Sequence, residues 1–273
     1  MNDDFFSGRT RIMGIINLSP NSFFRSSYSS SEKDALKTAE RLIEDGADML
    51  DIGAESTHPG SEPIPDEQEW KLLEPVVKTL VREIPVPISV DTYKPYVARR
   101  VLDLGVHWIN DIYGLRFPEM AEIVSRYPAG VIIMHMQGTP KTMQIDPQYV
   151  DCVEEVYQFL DRRITEAEFA GIPADQIMID PGIGFGKTLK HNLELVSNLD
   201  RLAALGKPML LGVSRKAFIG KILDLPIEER MEGSLAAAVV GVLKGARVLR
   251  VHDVLATARA IKIVDELRKY RKE

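Results

Sequence analysis

Eight short β-rich runs recur every 20–45 residues along the chain, each followed by a segment with helical spacing, and this beat constrains the fold more than any other feature. The runs are RIMGIINLS (11–19), DMLDIGA (48–54), PISVDT (87–92), HWINDIYG (107–114), GVIIMHM (130–136), QIMIDPG (176–182), PMLLGVS (208–214) and ARVLRVHD (246–253). Strands that alternate strictly with helices run parallel, because each helix carries the chain back to where the next strand starts. Eight such units in about 260 residues match a single (β/α)8 TIM barrel better than an open doubly wound sheet. No Ser/Gly linker, low-complexity tract or composition step divides the chain, so the expectation is one domain over 1–273.

The helical segments carry their own punctuation. Ser31 followed by Asp34 reads as a capping box, Leu36, Ala39, Leu42 and Ile43 share a face, and Gly46 stands where a helix-ending glycine belongs. The same grammar predicts helices in 66–84, 94–105, 149–171, 189–206 and 253–270. Segments 118–127 and 215–244 are less regular, the latter reading as two helical pieces split near Pro226. Long loops follow the first two strands, at 19–31 and 55–66, on the face where barrels carry their chemistry.

Composition excludes several classes. With 34 Lys and Arg against 40 Asp and Glu, the net charge of −6 lacks the general attraction to phosphate backbones on which nucleic-acid binders rely. A lone Cys152 excludes an intrachain disulfide and a Cys-based zinc site. Residues 1–10 lack the apolar run of a signal peptide and no uninterrupted apolar stretch is long enough to span a membrane, so the expectation is a soluble cytoplasmic protein.

In a barrel the strand ends define the site, and here nearly every one is polar: Asn17; Asp51, Glu55, Ser56 and Thr57; Asp91; Asn110 and Asp111; His135 and Gln137; Asp180; Ser214, Arg215 and Lys216; Arg250 and His252. Each has a duller reading alone. Asp180 could start a turn, Asp91 could cap the helix near Lys94, and Asp111 could bond a loop backbone. Flanked by methionines, His135 reads as a satisfied buried imidazole, His107 and His191 as structural, Trp70 and Trp108 as core or helix-packing residues, and Cys152 as lying inside the fifth helix, away from the site.

The run DPGIGFGKT (180–188) is neither a dinucleotide fingerprint, since its third glycine falls one position early, nor a P-loop, since Pro181 stands where that motif needs glycine. It does let a flat ligand approach the backbone, with Phe185 free to stack on it. Arg250 and His252 alternate on the last strand and so point the same way, while Ser214-Arg215-Lys216 opens a helix whose N-terminus suits an anion. Acids and amides (Asp91, Asn110, Asp180) suit the edge of a nitrogen-rich heterocycle, and bases (Lys216, Arg250, His252) suit an oxyanion. No nucleophile–base pair accompanies them. The residues alone describe a barrel enzyme acting on a polar heterocycle that carries an anionic group.

The same residues lie in segments that resemble the dihydropteroate synthases, folate-pathway enzymes of the pterin-binding barrel family. The likeness runs in order through IMGIINLSPNSF (12–23), GADMLDIGAEST (46–57), PISVDTYKP (87–95), INDIYG (109–114), VIIMHMQGTPKTMQ (131–144), DPGIGFGKT (180–188), GVSRKAFIG (212–220) and RVHDV (250–254), covering almost the whole chain. The resemblance implies a transferase that joins p-aminobenzoate to 6-hydroxymethyl-7,8-dihydropterin pyrophosphate, by loss of pyrophosphate to a pterin cation and attack of the aniline nitrogen. It implies that Asp91, Asn110, Met134, Asp180, Gly212 and Lys216 hold the pterin, with Asp91, Asp180, Lys216 and Arg250 catalytic. It further implies that Asn17 binds Mg²⁺, that Asn17, His58, Arg250 and His252 grip the pyrophosphate, and that Thr57, Pro59, Phe185, Lys216 and Ala217 receive p-aminobenzoate. A homodimer, small-molecule substrates, and no nucleic-acid or membrane partner are implied too. A single barrel leaves no room for a fused pyrophosphokinase, so the pterin pyrophosphate is expected to come from another protein.

The chain departs from the family's pattern at His58, where an Arg is usual, at Asn21 in PNSF for PDSF, in RSSYSS where glycines usually follow, and at Ala217, where a Ser often helps bind the p-aminobenzoate carboxylate. These changes surround the leaving group and the second substrate, which raises the alternative of a sulfonamide-insensitive synthase. A pterin-binding corrinoid methyltransferase domain is disfavoured by SRK and MHMQGTP, and a non-catalytic pterin-binding protein by the retained Asn17, Arg250 and His252.

Overall fold

Strand alternation decides how this chain is layered. The structure, a computed structural model, describes residues 3–18, 29 and 31–270, which form a closed parallel barrel in the order β1 to β8. Its strands are β1 (Arg11–Asn17), β2 (Met49–Gly53), β3 (Ile88–Asp91), β4 (Trp108–Asp111), β5 (Gly130–Met134), β6 (Ile177–Asp180), β7 (Met209–Leu211) and β8 (Ala246–Val251). All eight expected runs are strands. They are shorter than the runs because the last residues leave the ladder to form the mouth.

Within the barrel, Met13, Met49, Trp108, Ile132, Met178, Leu210 and Val248 form one buried apolar floor. It is closed from below by Phe5 and Phe6, with Phe6 edge-on to Trp108 at 5.8 Å. Trp108 fits because its neighbour on β5 is Gly130, where a Cβ would overlap the indole. Successive side chains of a strand point to opposite faces, so the residues two positions beyond the floor, such as Asp51, Asn110, Met134, Asp180 and Arg250, face the same interior one layer higher. The strands' other faces bury Ile, Leu and Val against the helices in the main core.

The helices are α1 (Glu32–Glu44), α2 (Asp66–Glu83), α3 (Pro95–Asp103), α4 (Pro118–Val124), α5 (Cys152–Phe169), α6 (Leu189–Ser197), α7 (Leu199–Ala203), α8 (Ala217–Leu223), α9 (Met231–Leu243) and α10 (Val254–Arg268). Ser31 caps α1 by accepting from Asp34 N, and Gly46 adopts φ +105° just beyond its end. The helix expected over 189–206 is two, because Asn198 turns its side-chain amide back onto Glu194 O at 2.8 Å and ends α6. The 215–244 segment divides as expected, with Asp224 left-handed at φ +55° before Pro226. Cys152 opens α5 at the catalytic-face end rather than lying inside the helix. Of the loop expected over 19–31, residues 19–28 and 30, Asn21 among them, lie outside the described residues. No helix among the described residues is long and apolar enough to cross a membrane.

Candidate active site

Above the apolar floor, charge is paired across the barrel. Arg250, on β8, donates from Nε to Asp51 Oδ2 at 2.6 Å and from Nη2 to Asp91 Oδ2 at 3.1 Å. Asn110 Nδ2 also donates to Asp51 Oδ2 at 3.2 Å, which leaves Asn110 Oδ1 and Asp51 Oδ1 buried without a partner. Unmet hydrogen-bonding capacity at such a place is characteristic of a site awaiting a ligand or water. Burial, reinforced by the like charges of Asp51, Glu69 and Glu55, raises the Asp91 carboxyl to about 8 although Arg250 opposes it. Asp91 is therefore a partner of Arg250, and the α3 cap reading fails: Lys94 occupies that cap with no side-chain bond.

The opposite wall is built by the glycine loop. Asp180 ends β6 and accepts from Gly182 N at 2.7 Å, so it does start a turn, yet it also faces Lys216 and Arg250. Burial raises its pKa, and Gly182 N, Lys216 and Arg250 restrain the rise. Gly182 has φ +66°, and a Cβ there would overlap His135 O, so only glycine fits. Phe185 lies with its ring 4.2 Å from Lys216 Nζ. Burial lowers Lys216 to about 8, countered by Asp180. His252 sits beyond β8 with Nδ1 3.0 Å from Ser214 Oγ, and burial plus Arg250, Arg215 and Lys216 hold it down at about 3. It is a neutral imidazole here, not a cation.

These groups line one cleft at the barrel mouth. Asp91, Asn110, Met134, Asp180, Gly212 and Lys216 all line it, as do Phe185, Arg250 and His252, with Ile15, Ile112, Gly182, Ile183 and Ser214 between them. Asn17, Thr57, His58, Pro59 and Ala217 stand outside its lining. Asn17 ends β1, half-buried, and its carbonyl accepts from Ser29 N. Thr57, His58 and Pro59 lie in the loop after β2, where burial lowers the His58 pKa, with Lys216 near enough to add to the effect. Ala217 is exposed at the start of α8.

Three strand-end residues hold the scaffold rather than line the cleft. Arg215 is 7% exposed, grips both oxygens of Asp253 at 2.8 Å and donates to Ile227 O and Glu228 O, so its place before α8 needs no anion. Asp111 accepts from Tyr113 N and Leu115 N, both at 2.8 Å, and is a loop staple. His135 is buried and satisfied, as its apolar flanks suggested.

Sequence reasoning gave no role to Asp51 or Glu55 beyond the strand-end roster, nor any to Lys94. Lys94 Nζ lies 2.6 Å from Glu55, Glu69 and Ile64 O, and Tyr93 donates to Glu55 at 2.8 Å, so this cluster pins the loop that carries Thr57, His58 and Pro59. Period two from Met49 was the available signal for Asp51. A second, more open cavity lies outside the barrel between the β5 loop and α5, lined by Arg116, His135, Tyr149 and Phe159 among others. Its Arg116 is held by Met136 O and Gly138 O, and its Glu155 accepts from Val150 N and Asp151 N, so it is a seam between loop and helix.

Comparison with known proteins agrees with this geometry. The family model described as pterin binding enzyme matches residues 13–252. The dihydropteroate synthase of Haemophilus influenzae is 42% identical over 253 residues, covering 93% of this chain and 92% of that protein. The Yersinia pestis dihydropteroate synthase, solved as a sulfonamide drug complex, superposes with a TM-score of 0.92 at 38% identity over 96% of this chain and 95% of the other. The Xanthomonas albilineans dihydropteroate synthase, solved with 4-aminobenzoic acid, gives 0.88 at 42% identity over 95% and 93%. Likeness at this level and over this length, on the same barrel, settles kinship: the chain belongs to the pterin-binding enzymes and, among them, to the dihydropteroate synthase family.

Proposed function

We propose that the barrel mouth condenses p-aminobenzoate with 6-hydroxymethyl-7,8-dihydropterin pyrophosphate, giving 7,8-dihydropteroate and pyrophosphate. The observation that carries this reading is the meeting in one cavity of heterocycle-reading groups (Asp180, Asn110) with oxyanion-binding ones (Lys216, Arg250, His252). Asp180 accepts pterin N–H groups, Asn110 supplies its unused Oδ1, Lys216 donates to the ring, and Met134 and Gly212 line the slot. The methylene C–O bond breaks with its electron pair leaving on pyrophosphate. The cation that remains on the pterin favours the ionised forms of Asp91 and Asp180, whose pKa values burial has raised, so the site stabilises it as it forms. The aniline nitrogen then forms the new C–N bond against Phe185, and its surplus proton leaves to solvent at the mouth. Thr57, Pro59, Lys216 and Ala217 receive the carboxylate of p-aminobenzoate.

Mg²⁺ fits the pyrophosphate side of this reading. Among the described residues no three His, Cys, Asp or Glu side chains form a dedicated cage. A single amide oxygen from Asn17 is the sparse donor set of an ion that takes most of its ligands from phosphate and water. Bound there, Mg²⁺ would neutralise charge developing on the leaving group. His58, Arg250 and His252 would hold the remaining phosphate oxygens.

A homodimer is supported by exposed apolar residues on two neighbouring helices, Val240 and Leu243 on α9 and Leu255, Ile263 and Leu267 on α10. A cytoplasmic location is supported by the lone cysteine, which is free. Incubating the protein with both substrates and following 7,8-dihydropteroate by mass spectrometry tests the activity. Formation of the product supports the reading, and its absence with properly folded protein refutes it.

A further inference from the structure

One buried charge has no part in the steps above. Lys187 is 2% exposed, and no carboxylate lies within ion-pairing distance of it among the described residues. Its Nζ instead lies 2.9 Å from His135 Nδ1, 2.9 Å from Phe185 O, 3.0 Å from Gly182 O and 3.3 Å from His135 O. Those acceptors belong to two different loops, one after β5 and one after β6. The loops touch backbone to backbone: a Cβ at Gly182 would overlap His135 O, and one at Gly186 would stand 2.5 Å from Gln137 O. Carbonyl oxygens from both sides thus converge on a point from which water is excluded, and they repel one another unless a cation sits between them.

The loop so held carries the site. Gly182 N orients Asp180, and Phe185 supplies the ring beside Lys216. We propose that Lys187 is a positioning residue for the condensation, its ammonium group locking the 182–186 loop onto the 135–137 loop so that Asp180 and Phe185 are set for pterin and p-aminobenzoate. The inference rests on the reaction proposed above.

Protonation matters to such a lock, because an ammonium group has three N–H donors for these four acceptors and a neutral amine has two. Burial lowers Lys187 to about 7, opposed by Cys152 at the start of α5 and by Asp180, and assisted by Lys216 before α8 and Arg116 after β4. His135 is held neutral by burial and by the Lys187 and Arg116 charges, so its Nδ1 accepts. The lock is closed below about pH 7 and loosens as pH rises through that value.

Two experiments test this. In Lys187→Met, thermal melting and circular dichroism first establish the fold, and steady-state kinetics then separate kcat from KM. The expected result is a rise of about tenfold or more in the KM for p-aminobenzoate with a smaller change in kcat, and loss of the KM rise that wild type should show between about pH 6 and pH 8. Lys187→Arg, which keeps the charge, should recover part of the affinity. Wild-type KM values, a parallel pH profile, or a fall in Vmax alone would overturn the proposal. Should Lys187→Met not fold, NMR of the wild-type protein decides: the amide shifts of Gly182, Gly184 and Phe185 should follow one titration near pH 7, and their invariance would overturn it. Failure of the two readings is distinguishable, since absence of product with wild type would sink the condensation while leaving the loop titration measurable.

Discussion

Replacing Arg250 by Met tests whether the polar layer is held by charge pairing across the barrel. Arg250 faces two carboxylates, Asp51 at 2.6 Å and Asp91 at 3.1 Å, and Asp51 is fully buried. Removing one member of a buried pair typically costs about 3–5 kcal/mol, because the remaining charge is left without water or partner. The Arg250 side chain is 22% exposed, which places the loss at the lower end, about 3 kcal/mol. At about 2–4 °C per kcal/mol for a chain of this size, the melting temperature should fall by about 6–12 °C.

The pH dependence has a definite sign. Arg250 opposes the burial-driven rise of the Asp91 carboxyl, so without it that pKa climbs beyond its wild-type value of about 8, and above that pH the folded variant holds a proton that the folded wild type has released and loses stability as pH rises. The deficit should therefore be nearly level below about pH 8 and grow above it. Adding Asp51→Asn removes the stranded charge while keeping its shape, so the double variant should be more stable than the sum of the single losses by about 1–2 kcal/mol. Melting followed by circular dichroism at about pH 6 and about pH 9 reads all four proteins. Additive, pH-independent losses would refute the charge-pairing account.

Other outcomes follow from the same geometry. Asp180→Ala should abolish pterin binding in calorimetry and nearly all turnover; near-normal kinetics would contradict its role. His252 is neutral with a pKa of about 3, and a polyanion beside it raises that value, so pyrophosphate binding should take up protons. Calorimetry in buffers of different ionisation enthalpy measures the uptake, and His252→Gln should reduce it. His58→Arg places a permanent guanidinium near Lys216 and the leaving group, and should lower the KM for the pterin pyrophosphate by about fivefold to tenfold, equivalent to about 1 kcal/mol for a half-exposed charged hydrogen bond.

Much of the fold was legible because a barrel strand buried on both faces reads as an apolar run, and because its inward residues change from apolar floor to polar mouth two positions later. Met49 then Asp51, and Val248 then Arg250, carry that change in the sequence itself. Asp91, Asn110, Met134 and Asp180 were legible for the same reason, each being the last inward position of its strand. Their partners were not. Asp51 and Arg250 stand 199 residues apart, and only closure of β8 on β1 brings them together. Arg215 resembled an anion ligand because its bond to Asp253 spans a loop whose path local spacing does not encode. Lys187 looked like the end of a failed phosphate motif, since its acceptors are carbonyl groups, which every residue has and no side-chain pattern announces. The break at Asn198 was hidden because one amide turning back on Glu194 ends a helix without proline or glycine.

The central claim is that the cavity at the barrel mouth joins p-aminobenzoate to the pterin by expelling pyrophosphate. Pyrophosphate release, measured from the purified protein with pterin pyrophosphate and Mg²⁺ in the presence and absence of p-aminobenzoate, tests it most directly. The account predicts release that requires p-aminobenzoate for sustained turnover, mole for mole with dihydropteroate formed. Release that is absent, or indifferent to p-aminobenzoate, would contradict it.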